Sequence, residues 1–380
     1  MARVSKSFAS RLFGGNFAGK KVWLSGHTGF KGAWLAHWLL ELGAEVHGFA
    51  LAPNTSPALF DLLGLAGRMK HQIADLRDAA AVKESIHATQ PDFVFHLAAQ
   101  AVLLSSYAEP LETFQTNLMG TLHVLEALRE LTQPCAAVIV TTDKCYENRE
   151  WVYGYREDDP LGGYDPYSSS KAAVEIALSA WRRSFFAGHP VRLASARAGN
   201  VIGGGDWTRD RIVPDCVRSL QAKQPVPVRN RTARRPWQHV LEPLSGYLWL
   251  GACLAKDPKP EIQSPASALA SAFNFGPGHE SNRTVEELVR EVLKHWPGQW
   301  EDKTNPQAAH EARLLQLTTD KAHAFLGWSP VWDFPKAIAQ TVEWYRAVLE
   351  DSKAAAGIAS RQIQQYEADA AAARVRWAVG

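Results

Sequence analysis

The sequence predicts an α/β fold, a doubly wound parallel sheet of the Rossmann type with a smaller C-terminal substrate-binding lobe. Three observations predict it. A glycine-rich turn, Gly26, Gly29 and Gly32, stands between the apolar run Val22-Trp23-Leu24 and a stretch from Ala33 to Leu40 with helical apolar spacing. Short apolar runs then alternate with longer amphipathic ones as far as Phe186, the pattern of βα units joined by right-handed crossovers. The residues with chemical potential fall at or just beyond the predicted strand ends, where ligands bind in such sheets.

In chain order, "EVHGFAL" (45–51) reads as the second strand and a third ends near Ala74, before a helix through Ile86. "PDFVFHLAAQ" is a fourth strand, apolar almost throughout as expected of a parallel strand covered on both faces. "TFQTNLMGTLHVLEALRE" is helical, "CAAVIVTTDK" is the fifth strand, and "YSSSKAAVEIALSAWRRSFF" is again helical. From Asn200 the texture changes to "GNVIGGGDW" and then the Pro- and Arg-rich "KQPVPVRNRTARRPWQHV". These changes give four segments: a floppy basic leader over 1–18, a dinucleotide-binding unit over 19–199 with returning segments near 236–276, a substrate-binding lobe over 200–350, and an Ala- and Gln-rich appendage over 351–380 lying outside the core.

The bulk numbers narrow the function classes. The chain has 380 residues, 46% hydrophobic and 21% charged, and no uninterrupted apolar run approaches the roughly 20 residues of a membrane span. A formal charge of +2 is far from the clustered basic excess of nucleic-acid-binding surfaces. Neither a membrane nor a nucleic acid is therefore expected as a partner. The four cysteines show no metal-binding or disulfide spacing, which predicts no metal site and points to a reducing, cytoplasmic setting.

The glycine turn suits a dinucleotide: the first glycine permits a tight turn, the second lets backbone approach a pyrophosphate, and the third lets helix pack on strand. A bare turn has the same glycines, so a second signal is needed. Tyr167 and Lys171 stand at i and i+4 on one helix face, downstream of Thr142 at a strand end. A lysine ammonium and a positive nicotinamide would lower the phenol below its ordinary value of about 10, letting it take a proton from a sugar hydroxyl while hydride leaves the same carbon. Thr142 can hydrogen-bond that hydroxyl.

The blocks "GHTGFKGAWL", "HLAAQ", "TNLMGT", "TTDKCYENREWVYGYRE", "GGYDPYSSSKAAVE", "RAGNVIGGGDW", "RPWQHVLEPLSGYL" and "FNFGP" resemble the extended short-chain dehydrogenase/reductase family from about Gly19 to Tyr345. Within it they resemble the branch of CDP-glucose 4,6-dehydratases. That resemblance implies NAD as cofactor, CDP-glucose as substrate, and an internal hydride transfer from C4 to C6 with loss of water. Tyr167 and Lys171 would be catalytic with Thr142; Asp143 would be the acid for the leaving hydroxide, and Lys144 either the C5 base or an ion-pair partner. Gly26, His27, Gly29, Phe30, Lys31, Gly32, Asp75, Leu76, Ala98, Ala99 and Gln100 would line the cofactor cleft, with His27 and Lys31 as cations on its phosphates. Asn200, Arg235 and His239 would face the diphosphate and cytidine, and His310 with Glu311 a ribose. The family pairs its subunits through the helices beside the catalytic one, implying a homodimer or homotetramer.

Two departures stand out. "GFALAPNTSP" at the second strand end has no acid for the ribose hydroxyls, which leaves NADP open. Leu104 also occupies a position where related dehydratases carry Arg. Epimerases and reductases of the family share the glycine loop and the Tyr-Lys pair, so they remain the alternative, together with a silent NAD-binding regulator.

Overall fold

The computed structural model describes residues 12–256, 269–304 and 314–379. Strands β1 (Lys21–Ser25), β2 (Glu45–Ala50), β3 (Lys70–Ile73), β4 (Phe93–His96), β5 (Cys135–Val140), β6 (Val191–Ala198) and β7 (Ala272–Phe275) form one seven-stranded sheet. Its order is β7-β6-β5-β4-β1-β2-β3, and every neighbouring pair is parallel. The order reverses beside β1 and β4, the switch point where ligands enter such sheets.

Alternate residues of the strands serve two cores. Val22, Leu24, Phe93, Phe95 and Val138 face one side with helices α1 (Phe30–Glu41) and α6 (Leu241–Lys256). Trp23, Val94, Ala137 and Ile139 face the other, with α2 (Ala79–Thr89), α3 (Gly120–Arg129) and α4 (Pro166–Ser184). Two-sided burial of about this kind makes the strands read as continuous apolar runs. Helix α5 (Ile212–Gln221) packs on the short strand Val226–Val228, and α7 (Val285–His295) lies against α5. Helix α7 begins with a capping box in which Thr284 and Glu287 satisfy each other's backbone.

Both chain ends depart from expectation. Leu12, Phe13 and Phe17 of the supposed leader are buried, and α9 (Ala355–Ala372), the supposed appendage, packs on α1 and α8 (Phe334–Glu350). Phe13 stacks on Trp377 at 4.8 Å, Trp377 stacks on Tyr366 at 5.7 Å, and Trp38 meets Phe13 edge-on. The Trp38 indole N–H donates to Glu367 at 2.8 Å. Such aromatic contacts add to the area that they bury, so Leu12, Phe13, Phe17 and α9 belong to the core, while residues 1–11 of the expected leader lie outside the described residues. Among the described residues no helix is long and apolar enough to cross a membrane.

Candidate active site

Helix α4 starts where it does because Asp165 caps it, accepting from the Ser168 N–H at 2.8 Å, and Pro166 fits its first turn. That start fixes Tyr167 and Lys171 on the face toward the end of β5. The Lys171 ammonium donates to the Val140 carbonyl at 3.2 Å. Just past it, Thr142 caps a short turn over Asp143–Cys145 by accepting from the Lys144 N–H, and its hydroxyl donates to Asp143 Oδ1 at 3.0 Å. Thr142, Asp143, Lys144, Tyr167 and Lys171 are thus brought together at one strand end.

The electrostatics of this cluster are set by burial. The Tyr167 phenol is pushed up to about 12 by burial, with the Thr142 hydroxyl pulling the other way. Lys171 is pushed down to about 8, again by burial, while Glu175 opposes the shift. The expected lowering of the phenol is therefore not a property of the protein's own groups, because the cost of burying a phenolate exceeds what they return. Asp143 is raised by burial, against the pull of Lys144, Thr142, Arg235 and Lys31. Its Oδ2 has no hydrogen-bond partner among the described residues. A Cβ at Gly199 would meet that oxygen at 2.6 Å, so the glycine makes the room Asp143 occupies.

The glycine loop follows β1. Gly26 takes φ 78°, and a Cβ there would meet the Ala98 nitrogen at 2.8 Å; one at Gly32 would collide with the Gly26 carbonyl. Ser25 Oγ accepts from the Leu97 and Ala98 N–H groups at 3.0 and 3.1 Å and so ties the loop to Ala98, with Ala99 next along the chain. Gly29 precedes the first turn of α1, and Phe30 packs beside Gly203. Asp75, past the end of β3, accepts from the Arg77 backbone N–H at 2.9 Å and from its guanidinium, which holds the carboxyl below its ordinary value. Leu76 packs on Gly120, and its carbonyl contacts His123.

Lys31 leaves the loop toward the catalytic side. Its ammonium reaches the Tyr247 hydroxyl at 3.4 Å and is pushed down to about 8 by burial and by Arg211, with Asp143 opposing and Lys171 adding to the shift. His27 differs from expectation. Its ring lies beneath Gly48, edge-on to Phe60 and His71, and burial pushes it down to about 4. Burial thus favours the neutral ring over the expected cation, and both ring nitrogens lack a hydrogen-bond partner among the described residues.

The Asn200 carbonyl accepts from Gln238, and Arg235 is buried and lies in the field of Asp143. His239, placed by sequence with the substrate, is wholly buried between the Trp34 and Trp332 rings and is pushed down to about 3 by burial. Gln238 beside it is buried as completely, and His239 Nε2 has no hydrogen-bond partner among the described residues. His310 and Glu311 lie outside the described residues. Leu104 is exposed.

Sequence reasoning passed over Asn117, Arg211, Gly199 and Glu175. Asn117 Oδ1 accepts from the Gln100 N–H at 2.8 Å, and its Nδ2 donates to the Gln100 carbonyl at 3.1 Å and to Ser170 Oγ at 2.9 Å, joining the cofactor-side loop to α4. The Gln100 side chain is itself engaged, accepting from the Val102 N–H at 2.6 Å and donating to Thr113 at 3.0 Å. Asn117 stood within the quoted "TNLMGT" block, and Glu175 repeats the i+4 spacing of Tyr167 and Lys171. Among the described residues there is no cluster of three or more metal-ligating side chains. A cavity of about 680 Å³ on the far side of α4, lined by Ile176, Arg182 and Leu193, reaches Glu175 and Arg197 but not Tyr167.

Comparison with known proteins shows the family and the fold. The chain is 45% identical over 338 residues to CDP-glucose 4,6-dehydratase of Salmonella typhimurium, covering 87% of this chain and 91% of that protein. Two solved structures share the fold. A dTDP-glucose 4,6-dehydratase of Streptomyces venezuelae, solved with NAD bound, has a TM-score of 0.72 at 22% identity and covers 86% of this chain and 97% of its own. A UDP-glucose 4-epimerase of Stenotrophomonas maltophila, also with bound NAD, has a TM-score of 0.74 at 19% identity and covers 87% and 99%. The family described as GDP-mannose 4,6 dehydratase matches residues 24–341, and with the seven-stranded sheet and the Tyr167–Lys171 site this chain belongs to that family of extended short-chain dehydrogenases/reductases.

Proposed function

We propose that the protein is a hydro-lyase that converts CDP-glucose to CDP-4-keto-6-deoxyglucose with NAD as its resident cofactor. The observation that carries the reading is Asp143, a carboxyl that burial biases toward its protonated form, with one oxygen lacking a partner among the described residues, beside Thr142 and Tyr167. An epimerase or reductase needs no acid for a leaving hydroxide; a dehydratase does. The identity to the CDP-glucose enzyme, 45% against 27% for a probable dTDP-glucose dehydratase of Sinorhizobium fredii, supports the choice of base.

The residues present fit a dinucleotide. The turn at Gly26 and Gly32 keeps side chains off the backbone where a pyrophosphate would lie, and α1 aims its N-terminal N–H groups there. Gly29 and Phe30 continue that cradle, Lys31 supplies positive charge, Asp75 and Leu76 take the adenine end, and Ala98, Ala99 and Gln100 the opposite wall. NAD, when bound, supplies an acceptor and later a donor of hydride. The second strand ends "GFALA" without an acid, so the preference over NADP rests on the family.

Tyr167 removes the proton from the sugar O4, which requires its phenol to fall from about 12; the Thr142 hydroxyl and Arg211 act in that direction. Thr142 orients the hydroxyl. Asp143 gives its proton to the departing C6 hydroxyl, and Lys144 takes the C5 proton or pairs with a carboxylate. Arg235 and Asn200 bind the nucleotide diphosphate, a role that suits the guanidinium fork.

The dimer reading is supported by exposed apolar side chains on α4 and on the helices packed beside it, among them Leu104, Tyr107, Leu111 and Ile176. A cytoplasmic setting agrees with four unpaired cysteines. Incubation with CDP-, dTDP-, UDP- and GDP-glucose, followed by mass spectrometry, tests the reading. We expect loss of water from the CDP compound far ahead of the others. Equal rates on dTDP-glucose would refute the base preference, and an epimer without water loss would refute the dehydratase.

A further inference from the structure

We propose that Glu175 is a positioning residue whose fixed carboxylate holds the Lys171 ammonium and the Thr141–Asp143 strand end in one geometry. Glu175 lies one turn beyond Lys171 on α4, where i and i+4 side chains meet, and it is buried. Both of its oxygens are occupied. Oε1 accepts from the Thr141 hydroxyl, and Oε2 accepts from Ser195 Oγ at 2.8 Å and from Arg197 Nη2 at 2.9 Å. Arg197 is anchored in turn, donating through Nη1 to the Tyr146 hydroxyl at 2.7 Å and to the Glu157 carbonyl at 2.9 Å.

The placement of these bonds gives the inference its content. Lys171 grips β5 at the Val140 carbonyl, and Glu175 grips the next residue, Thr141, through its side chain. Thr142 and Asp143 follow directly. Two successive turns of α4 thus hold two successive residues of the strand end that carries the chemistry, while Ser195 and Arg197 of β6 fix the carboxylate from behind. A carboxylate donated to by three groups cannot swing toward Lys171 as a contact ion; it acts as a fixed negative charge beside the ammonium.

The other groups around the pair do not replace it. Lys31 and His96 lie in the field of Lys171, one a cation and the other a buried neutral ring, and Cys145 is a buried thiol pushed away from thiolate. Arg182 and Arg197 face Glu175, whose carboxyl burial would raise but which Arg197 and the Thr141 hydroxyl keep below its ordinary value. Glu175 is therefore the carboxylate that opposes the downward push on Lys171.

The test reads Lys171 directly. Protein labelled with ¹³Cε-lysine is titrated by NMR, with Lys171 assigned through Lys171→Arg. In Glu175→Gln the Lys171 midpoint is expected to move to lower pH by about 1 unit or more, because an opposing charge at short range has been removed. Glu175→Asp should restore part of the change. Since Glu175→Gln leaves Arg197 without its carboxylate, Glu175→Gln/Arg197→Gln, which removes both charges, is run beside it, and either protein decides the matter once folded. Thr141→Val, which keeps the carboxylate charge, should leave the midpoint in place. An unmoved midpoint in a folded Glu175→Gln protein, or an equal shift in Thr141→Val, overturns the inference.

A kinetic arm rests on the proposed function: the alkaline limb of kcat for CDP-glucose should move down with the Lys171 midpoint, with KM little changed. If wild-type protein does not dehydrate CDP-glucose, that function is refuted while the titration still decides the role of Glu175.

Discussion

Where the chain ends meet, the Glu242 carboxylate accepts from the Val331 and Trp332 N–H groups at 3.0 and 2.6 Å and from the Tyr366 hydroxyl at 2.8 Å. At the end of β5, Asp143 is buried as deeply but receives only the Thr142 hydroxyl and keeps Oδ2 without a partner among the described residues. The first region uses its buried carboxylate to join α6, α9 and the loop before α8. The second keeps a carboxyl short of donors in the field of Lys31, Lys144 and Arg235. A buried polar group left short of partners costs about 1–3 kcal/mol, and a fold tolerates that where the group has a task. The difference lies in the two carboxyls and not in burial as such, since Gln362 Oε1 and Trp377 Nε1 of the terminal region are also buried without a hydrogen-bond partner among the described residues.

The largest expected effects separate the two regions by activity. Tyr167→Phe removes a hydroxyl and keeps the ring, so it should lower turnover of CDP-glucose by ~10²–10⁴-fold while the thermal midpoint stays near wild type. A matched loss of stability would make Tyr167 a packing residue. Asp143→Asn should lower water loss over a comparable range yet permit oxidation at C4. Bound reduced nicotinamide should then accumulate after mixing with CDP-glucose, read by its absorbance. Asp143→Asn protein that dehydrates normally would move the acid elsewhere.

Trp377→Ala probes the other region. Its ring is wholly buried, stacked between Phe13 and Tyr366, and large-to-small changes of this kind cost about 3–5 kcal/mol. Denaturant unfolding should show that loss, with turnover per folded molecule unchanged. The contrast fails if Trp377→Ala impairs catalysis in protein that is fully folded.

The two regions also differ in how legible they were. The proposed catalytic set lies in short contiguous blocks because its geometry is local: a strand end and turn carry Thr142–Lys144, and i,i+4 spacing carries Tyr167 and Lys171. The parallel, doubly wound character of the sheet followed from the alternating runs. Helix α9 was hard to place because only Ile358, Ile363 and Tyr366 give its inner face large apolar side chains, the other buried positions being Ala355, Ala359, Gln362, Glu367 and Ala370. Phe13 stacks on Trp377 at the far end of the chain and Phe17 meets Phe93 and Phe95 of β4, and nothing near them in sequence announces this. His27 and His239 sit inside the right motifs, yet one ring packs under Gly48 and the other between two tryptophans. Motif membership located the loop and the strand; packing decided where each side chain went.

The smallest effect expected is a pH dependence of stability from the terminal region alone. Glu367 is buried and takes one hydrogen bond, from Trp38; burial, with Glu41 as a like charge, pushes it up to about 7 from 4.5. Its folded-state value is therefore above its unfolded one. Stability from this group is fully present below about 4.5, declines as pH rises, and is lost once pH has passed about 7. A gap of that size corresponds to at most about 3 kcal/mol at 1.36 kcal/mol per pH unit, and relaxation around the helix should reduce it. Glu367→Gln keeps an acceptor for the Trp38 indole and removes the charge. It should raise the thermal midpoint at pH 8, leave it nearly unchanged at pH 5, and flatten the profile between them, while the pH profile of turnover stays as in wild type. If Glu367→Gln instead lowers the midpoint at pH 8, the carboxylate is tolerated in its charged form there, and the terminal region would share with the active site a buried charge that the fold sustains.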